Sequence, residues 1–226
     1  MSDPHEVRNR AVYRENVALD KALVRPASGA YGTVVPQPVK ETVSNFTNNI
    51  KLPGLIVNNL LQGDIDGAGQ NSARFLMNSL FGIGGLFDPA SDAGLFEDDT
   101  DFGETLYVWG APEGDYVMLP VIGPSTERHM VGRAVDLFTN PISYALKGAD
   151  SYGPTGAKIA SRLGERDKHS KTIDAILHES ADGYGQMRLL YLQNRRFKLG
   201  IDANAEDEDP YGDPYDDPYA GDPYDQ

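Results

Sequence analysis

The chain contains no cysteine. Disulfides, thiol nucleophiles and cysteine-ligated zinc are therefore excluded, while the redox compartment stays open. Long apolar runs are missing too. A membrane-spanning helix needs about 20 consecutive apolar residues, and the longest candidates, 55–61 and 117–122, are short and broken by Asn or Pro. No export leader precedes the body: Met1-Ser2-Asp3 passes straight into polar sequence, so the chain reads either as cytosolic or as the mature part of an exported protein. Basic charge is scarce, with 20 Lys and Arg against 34 Asp and Glu. Ten of those acids, and no base, lie from Ile201 onward, which leaves residues 1–200 with a net of only −4. Nothing in the body attracts a polyanion, so nucleic acid is not an expected partner.

The length of 226 residues allows a stable core without disulfides or metals. Two regions separate by composition: a body at 3–200 and a tail at 201–226. In the tail Asp-Pro-Tyr recurs at 209–211, 213–215, 217–219 and 222–224. A proline every four or five residues forbids helix and the like charges repel, so the tail is expected to be disordered.

The body reads as mainly α. Asp3-Pro4-His5-Glu6 suits a helix start, with Asp3 as cap, and the helix continues to Arg25-Pro26 with Val7, Ala11, Ala18 and Ala22 on one period. Pro36-Gln37-Pro38 opens a second helix with an apolar stripe at Val39, Val43, Phe46 and Ile50. Pro53 begins a third, ended by Gly63, and Asp64 a fourth with Ile65, Ala68, Leu76 and Leu80 on one side. Between Gly82 and Pro124 the many Gly, Pro and Asp residues exclude long helices. That region holds Tyr116-Val117-Met118-Leu119-Pro120-Val121-Ile122-Gly123, which reads as a buried strand or loop, Pro120 arguing against a central strand. Helix resumes after Ser125 to about Lys147. A last helical region runs from about Thr155 to Leu192, divided at Gly164 and Gly183, with Ile173, Ile176, Leu177, Tyr184, Met187 and Tyr191 inward.

Three patterns invite a catalytic reading and each is weak. Gly82-Ile83-Gly84-Gly85 lacks the later glycine and the preceding strand of a dinucleotide fingerprint, since position 87 is Phe; a helix-ending turn accounts for it. Ser125, Glu127 and His129 sit at a helix start, where Ser125 is a natural cap, and no nucleophile elbow surrounds the serine. His5, His129, His169 and His178 show no metal-ligand spacing, and 98–101 lacks that of a calcium loop, so no metal or other cofactor is expected.

The segments that fail as catalytic motifs match one family in order. They run through Asn9-Arg10-Ala11-Val12-Tyr13 and Asn16, Val24-Arg25-Pro26, Val35-Pro36-Gln37-Pro38, Val43-Ser44-Asn45-Phe46, Val57-Asn58-Asn59-Leu60-Leu61-Gln62-Gly63 and Arg74-Phe75-Leu76-Met77-Asn78-Ser79. Gly82-Ile83-Gly84-Gly85-Leu86-Phe87-Asp88, Asp101-Phe102-Gly103-Glu104-Thr105-Leu106, Val108-Trp109-Gly110 and Tyr116-Val117-Met118-Leu119-Pro120 follow, with Arg188, Tyr191 and Arg195 near the end. In this the chain resembles the MlaA (VacJ) family of outer-membrane phospholipid-removal lipoproteins. The resemblance implies a ring of amphipathic helices lying in the periplasmic leaflet around a central channel. It further implies a Gly/Pro-rich apolar hairpin at 116–123, flanked by Gly114, beside that channel. Phospholipids mislocalised to the outer leaflet would pass through to the periplasmic carrier MlaC, next to a trimeric porin, with no covalent chemistry. The competing readings are a lipoprotein that stabilises a porin or carrier assembly without a conduit, and, more distantly, a lipid hydrolase using Ser125. The sequence departs from the family in lacking the lipidated cysteine and signal, so this form reads as soluble. It also carries Arg8 and Glu15 where the family commonly has Phe, which reads either as divergence with a first helix facing water or as an alteration for solubility.

Overall fold

The structure, a computed structural model, describes residues 3–141 and 152–201. The expected helix end near Lys147 and the Asp-Pro-Tyr tail lie outside those residues.

Helix α1 (Glu6–Leu19) passes through a π-helical turn (Asp20–Val24) directly into α2 (Arg25–Val34). Arg25-Pro26 therefore does not end the first helix. Proline is tolerated here because it falls in the opening turn after a π segment, where the regular bonding ladder is already interrupted. The expected cap also differs. His5 precedes α1 without a side-chain cap, and the Asp3 carboxylate instead takes Asn9 Nδ2 (3.0 Å) and the Tyr184 hydroxyl.

Helix α3 (Gln37–Gln62) runs through Pro53 without a break, so the separate third helix does not exist. Pro53 removes one backbone bond, but Ile50, Leu52 and Leu55 around it are buried, and their packing holds the rod together. Gly63, at φ +77°, ends α3 as expected. Asp64 then caps α4 (Ile65–Leu80) by accepting the Gly67 N–H at 3.0 Å. After the one-turn α5 (Pro89–Asp92) comes α6 (Phe102–Val108), capped by Asp101. Strands β1 (Tyr116–Leu119) and β2 (Gly123–Thr126) pair antiparallel, with Tyr116 opposite Thr126 and Leu119 opposite Gly123. Ser125 lies inside β2, and the cap of α7 (Glu127–Thr139) is Thr126 rather than Ser125. Helix α8 (Tyr152–Lys168) contains Gly164 mid-helix, where it lets Tyr31 of α2 approach; a Cβ there would stand 3.3 Å from that ring. The expected division falls instead at His169, before α9 (Ser170–Asp174) and a second π turn (Ala175–Glu179). Asp182 caps α10 (Gly183–Lys198), so the boundary expected at Gly183 is present.

The packing order closes on itself: α2 against α8, α8 against α3, α3 against α6 and α7, α7 against the hairpin, and the hairpin against α1. Mainly helical, ring-like packing is what the sequence led us to expect.

The interior is not. Among the described residues eight apolar side chains are buried, against nineteen polar or charged ones. Helix α4 shows why this matters. Its buried positions are Gly67, Ala68, Asn71, Arg74 and Asn78, while Ile65, Leu76 and Leu80 are exposed. The first helix behaves alike, with Asn9 inward and Val7 outward.

Buried amides are tolerable only when paired, and most of these are, Asn49 Oδ1 being an exception. Asn71 Nδ2 donates to Asn59 Oδ1 and to the Asp98 carbonyl (both 2.9 Å), while its Oδ1 accepts the Asp98 N–H (3.1 Å). Asn78 links Asp88 (2.8 Å) to the Ala90 N–H (3.1 Å), and Arg74 grips the same Asp88 (3.0 Å). Arg195 of α10 forks onto Asp101 (2.5 and 2.8 Å) and reaches Glu104 (3.0 Å). Burial by itself would raise the Asp101 carboxyl; the Arg195 guanidinium outweighs it and holds the group below the usual range. Beside it, the His129 ring meets the Tyr191 hydroxyl through Nδ1 (2.7 Å) and accepts Arg133 Nε at Nε2 (3.1 Å). Burial, reinforced by Arg195, pushes His129 down to about 4 from its ordinary 6.5.

The fold thus favours neutral His129, a contribution complete above pH 6.5 and lost as pH falls towards 4. Asp101 and Asp88 are held below 3.8, so their contributions fade only below about pH 4. Urea melts of the wild type should therefore weaken progressively from pH 6.5 to 4, and His129→Gln should flatten that decline. Equal slopes for both proteins would count against a neutral buried ring.

Candidate functional site

The hairpin is held by two side chains of one helix. Asn9 Nδ2 donates to the Tyr116 carbonyl and Asn9 Oδ1 accepts the Met118 N–H, both at 3.0 Å. Two helical turns on, Asn16 Nδ2 donates to the Leu119 carbonyl (2.9 Å) and Asn16 Oδ1 accepts the Val121 N–H (2.7 Å). A primary amide can present an N–H donor and a C=O acceptor side by side, as a strand residue does. Spaced seven apart on α1, the two amides fall on one face and satisfy the open edge of β1 in place of a third strand.

What the second amide holds is strained. Pro120-Val121-Ile122 forms a three-residue turn closed by the Ile122 N–H on the Pro120 carbonyl (2.7 Å), with Val121 at φ +66°. A β-branched residue in that region is a conformational outlier, costing on the order of 1–3 kcal/mol. It persists because Asn16 fixes its N–H.

The expected hairpin residues divide into two sets. Tyr116 and Met118 point into the core, packed with Tyr184, Tyr13, Met187 and Tyr191, the tyrosine rings meeting edge to face at about 6 Å. Val121 and Ile122 project outward, 76% and 58% exposed. Together with Gly123 and Pro124 they border a mostly apolar cavity of ≈250 Å³, whose other walls are Tyr13 and Leu19 of α1, Leu177 and Met187. Val117 and Leu119 lie half-buried on the other face of β1. Gly114, at φ +72°, lets the chain enter the hairpin beside the Glu127 side chain. The hairpin continues to Thr126, further than the sequence suggested.

The other expected residues are spread around the ring as joints. Arg10 bridges Glu6 (2.7 Å) and Asp182 (2.9 Å) and lies over the Tyr184 ring. Arg25 pairs with Asp174 (2.9 Å), and Pro26 sits in the first turn of α2. Asn58 ties Asp136 (2.9 Å) to the Thr105 hydroxyl (3.3 Å). Asn45 reaches the Leu86 carbonyl at 3.5 Å, and Phe46 and Phe75 are half-buried. Gly82 and Gly85 are buried where a Cβ would stand 2.4 Å from the Phe87 carbonyl and from Asn49, and Gly84 takes φ +69°. Gly103 meets Gly132, which lets α6 and α7 cross in near backbone contact. Phe102 packs edge-on against Trp109 at 5.7 Å, and Trp109 Nε1 donates to the Leu61 carbonyl (3.0 Å).

Ser125 and His129 are not brought together as a catalytic pair: the Ser125 hydroxyl donates to the Thr126 carbonyl (3.2 Å), while His129 faces Tyr191 and Arg133. Asp20, Asp174 and His178 do converge, a cluster the sequence reading missed because its members are far apart in the chain. The cation there is Arg166, bonded to Asp20 (2.9 Å) and Asp174 (2.7 Å). That arrangement is an ion-pair knot joining the π turn to α8 and α9. Among the described residues no helix is long and apolar enough to cross a membrane.

Comparison with known proteins places this architecture. The sequence profile described as "MlaA lipoprotein" matches residues 1–198. A protein of Escherichia coli (strain K12) named "Intermembrane phospholipid transport system lipoprotein MlaA" is 36% identical over 201 residues, covering 87% of this chain and 78% of its own length. The similarly named protein of Haemophilus influenzae is 29% identical over 203 residues, 88% and 79% of the two chains. An uncharacterised protein of Rickettsia typhi is 38% identical over 187 residues, 82% and 73% of the two chains. A solved structure described as the structural basis for maintenance of bacterial outer membrane lipid asymmetry superposes with a TM-score of 0.74 at 33% identity, covering 88% of this chain and 100% of that one. With a polar-cored helical ring, an amide-clamped hairpin and these matches over nearly the whole body, the chain belongs to the MlaA lipoprotein family.

Proposed function

We propose that this protein moves phospholipids mislocalised to the outer leaflet of the outer membrane, through an amphipathic passage inside its helical ring, to a periplasmic carrier of the MlaC kind. It would work from the periplasmic leaflet, beside a trimeric porin. Phospholipid transport between membranes is the role named for the relatives in Escherichia coli and Haemophilus influenzae.

One observation carries the reading: the polarity of the body is inverted. Amides and guanidinium–carboxylate pairs fill the interior, while Phe81, Phe87, Phe96, Trp109, Phe138 and Phe197 are exposed. In water such a surface is a liability; in a lipid leaflet it is the favourable arrangement. A two-tailed amphiphile needs apolar wall for its chains and polar groups for its head, since a phosphate without partners in a dry passage is costly. The hairpin cavity offers the first and the polar interior the second. Transfer of an intact lipid breaks no bond, and nothing in the arrangement of Ser125 and His129 calls for one.

Within this reading the hairpin tip, strained and clamped at a single amide, is the movable wall. Replacing Asn16 and Val121 by cysteines in this otherwise cysteine-free chain ties the tip to α1. We expect the oxidised form, tested with its carrier in reconstituted vesicles, to lose most phospholipid transfer and to regain it on reduction. Transfer unaffected by oxidation would instead favour a protein that organises a porin or carrier assembly without a conduit of its own.

Arg8 and Glu15 lie two turns apart and exposed on α1, where either water or lipid could meet them. Arg8→Phe with Glu15→Phe should raise flotation with phospholipid vesicles severalfold. Unchanged partitioning would remove α1 from the lipid-facing surface.

A further inference from the structure

A cavity of ≈450 Å³ lies between α3, α7 and α8, away from the hairpin. Lys158 and Arg162 line it, one turn apart on α8 and so on the same face. Neither has a hydrogen bond or ion pair among the described residues. Both are exposed, as are other cations without such a bond, Arg8 and Lys171 among them; the buried cations differ. Arg166, one turn further on, is saturated by Asp20 and Asp174; Arg74 is held by Asp88, and Arg195 by Asp101 and Glu104.

The other charges on the wall do not neutralise the two. Lys51 is committed to Glu97 (3.0 Å) and Asp99. Asp136 accepts Asn58 Nδ2 (2.9 Å) and the Phe102 N–H (3.1 Å) and sets one carboxylate against the two cations, so positive charge stays in excess. Thr47 and Ser161 add hydroxyls. A second cavity of ≈340 Å³, between α2, α3 and α8, gives the contrast: its Lys40 and Lys168 face Glu41, Glu165 and Asp167, and Lys40 is tied to the Gly32 carbonyl at 2.6 Å. Of these two cavities, the first carries the excess of positive charge among the described residues.

Its rim is apolar. Leu137 lines the opening and is 73% exposed, and the adjoining Phe138 and Ile159 are exposed as well. Two exposed cations with hydroxyls on the same wall, apolar side chains beside them: the geometry points to a subsite for the phosphate group of a phospholipid, held by Lys158 and Arg162 while the acyl chains remain against Leu137, Phe138 and Ile159. This assignment rests on the phospholipid-transfer reading and adds the place where the headgroup is held. A guanidinium and an ammonium on one anionic group supply charge-assisted hydrogen bonds, which are roughly twice as strong as neutral ones.

The test measures binding of three probes to the full chain: a short-chain fluorescent phosphatidylglycerol, the matching diacylglycerol, and sn-glycerol 3-phosphate. The variants are Lys158→Ala with Arg162→Ala, and the conservative Lys158→Arg, with thermal melts to verify the fold. The expected result is about tenfold or greater weakening of phosphatidylglycerol binding in the double variant. Diacylglycerol binding should stay unchanged, and Lys158→Arg should retain wild-type affinity. Equal phosphatidylglycerol binding by wild type and double variant overturns the subsite while leaving phospholipid transfer intact. So does equal weakening for both lipids, which would make the effect one of shape rather than charge. Wild type that binds glycerol phosphate but not phosphatidylglycerol would reassign the cavity to a free phosphate ester. Wild type that binds neither would sink the subsite together with the transfer reading.

Discussion

The organising constraint in this molecule is that its inward-turned polar groups need partners, and most of them find one. With its larger apolar side chains distributed over the outside, the body cannot be held by a conventional oily core. Burial of apolar surface contributes where it exists, around Tyr116 and along α3 at Leu52 and Leu55. The remaining cohesion comes from amides and ion pairs whose value depends on geometry, because an unpaired buried amide costs more than a paired one contributes. Asn71, Asn78 and Arg195 each satisfy two or more groups on separate elements. They act as rivets between helices that would otherwise have little to bury against one another.

The hairpin is the clearest product of that constraint. A two-stranded ribbon is marginal alone, and this one is closed by a turn with a β-branched residue at positive φ. Asn9 and Asn16 complete its edge from a helix, which fixes the ribbon while leaving Val121 and Ile122 outside the core. A stable base and a strained tip therefore coexist in one eight-residue strand pair. That combination suits a segment that must stay attached yet change position, and the strain resides next to the apolar cavity rather than in the tyrosine cluster beneath it.

The same accounting separates structural charges from functional ones. Most interior cations are spoken for, so the knot of Arg166, Asp20, Asp174 and His178 is a fastening even though its acids and histidine stand close enough to suggest a metal. Lys158 and Arg162 differ in being exposed and in having no such partners among the described residues. The proposed headgroup subsite rests on that excess of positive charge beside an apolar rim.

Much of the architecture was legible from the residues. Glycine and capping signals at Gly63, Asp64 and Gly183 act locally, through φ freedom and side-chain bonds to nearby N–H groups, so they read correctly without knowledge of the rest. Pro26, Pro53 and Gly164 did not, because whether a proline or glycine breaks a helix depends on packing from α4, α8 or Tyr31 that no local window contains. Apolar periodicity located the helices but not their inward faces. It gives the spacing of a stripe, and only the tertiary structure decides whether that stripe meets a core or a lipid leaflet. By itself the sequence determined a helical body of this family with a Gly/Pro-bounded apolar segment. The amide clamp on the hairpin, the inverted interior and the placing of Lys158 and Arg162 beside a cavity were decided in three dimensions, where residues more than a hundred positions apart, such as Asn9 and Tyr116, come within hydrogen-bond reach.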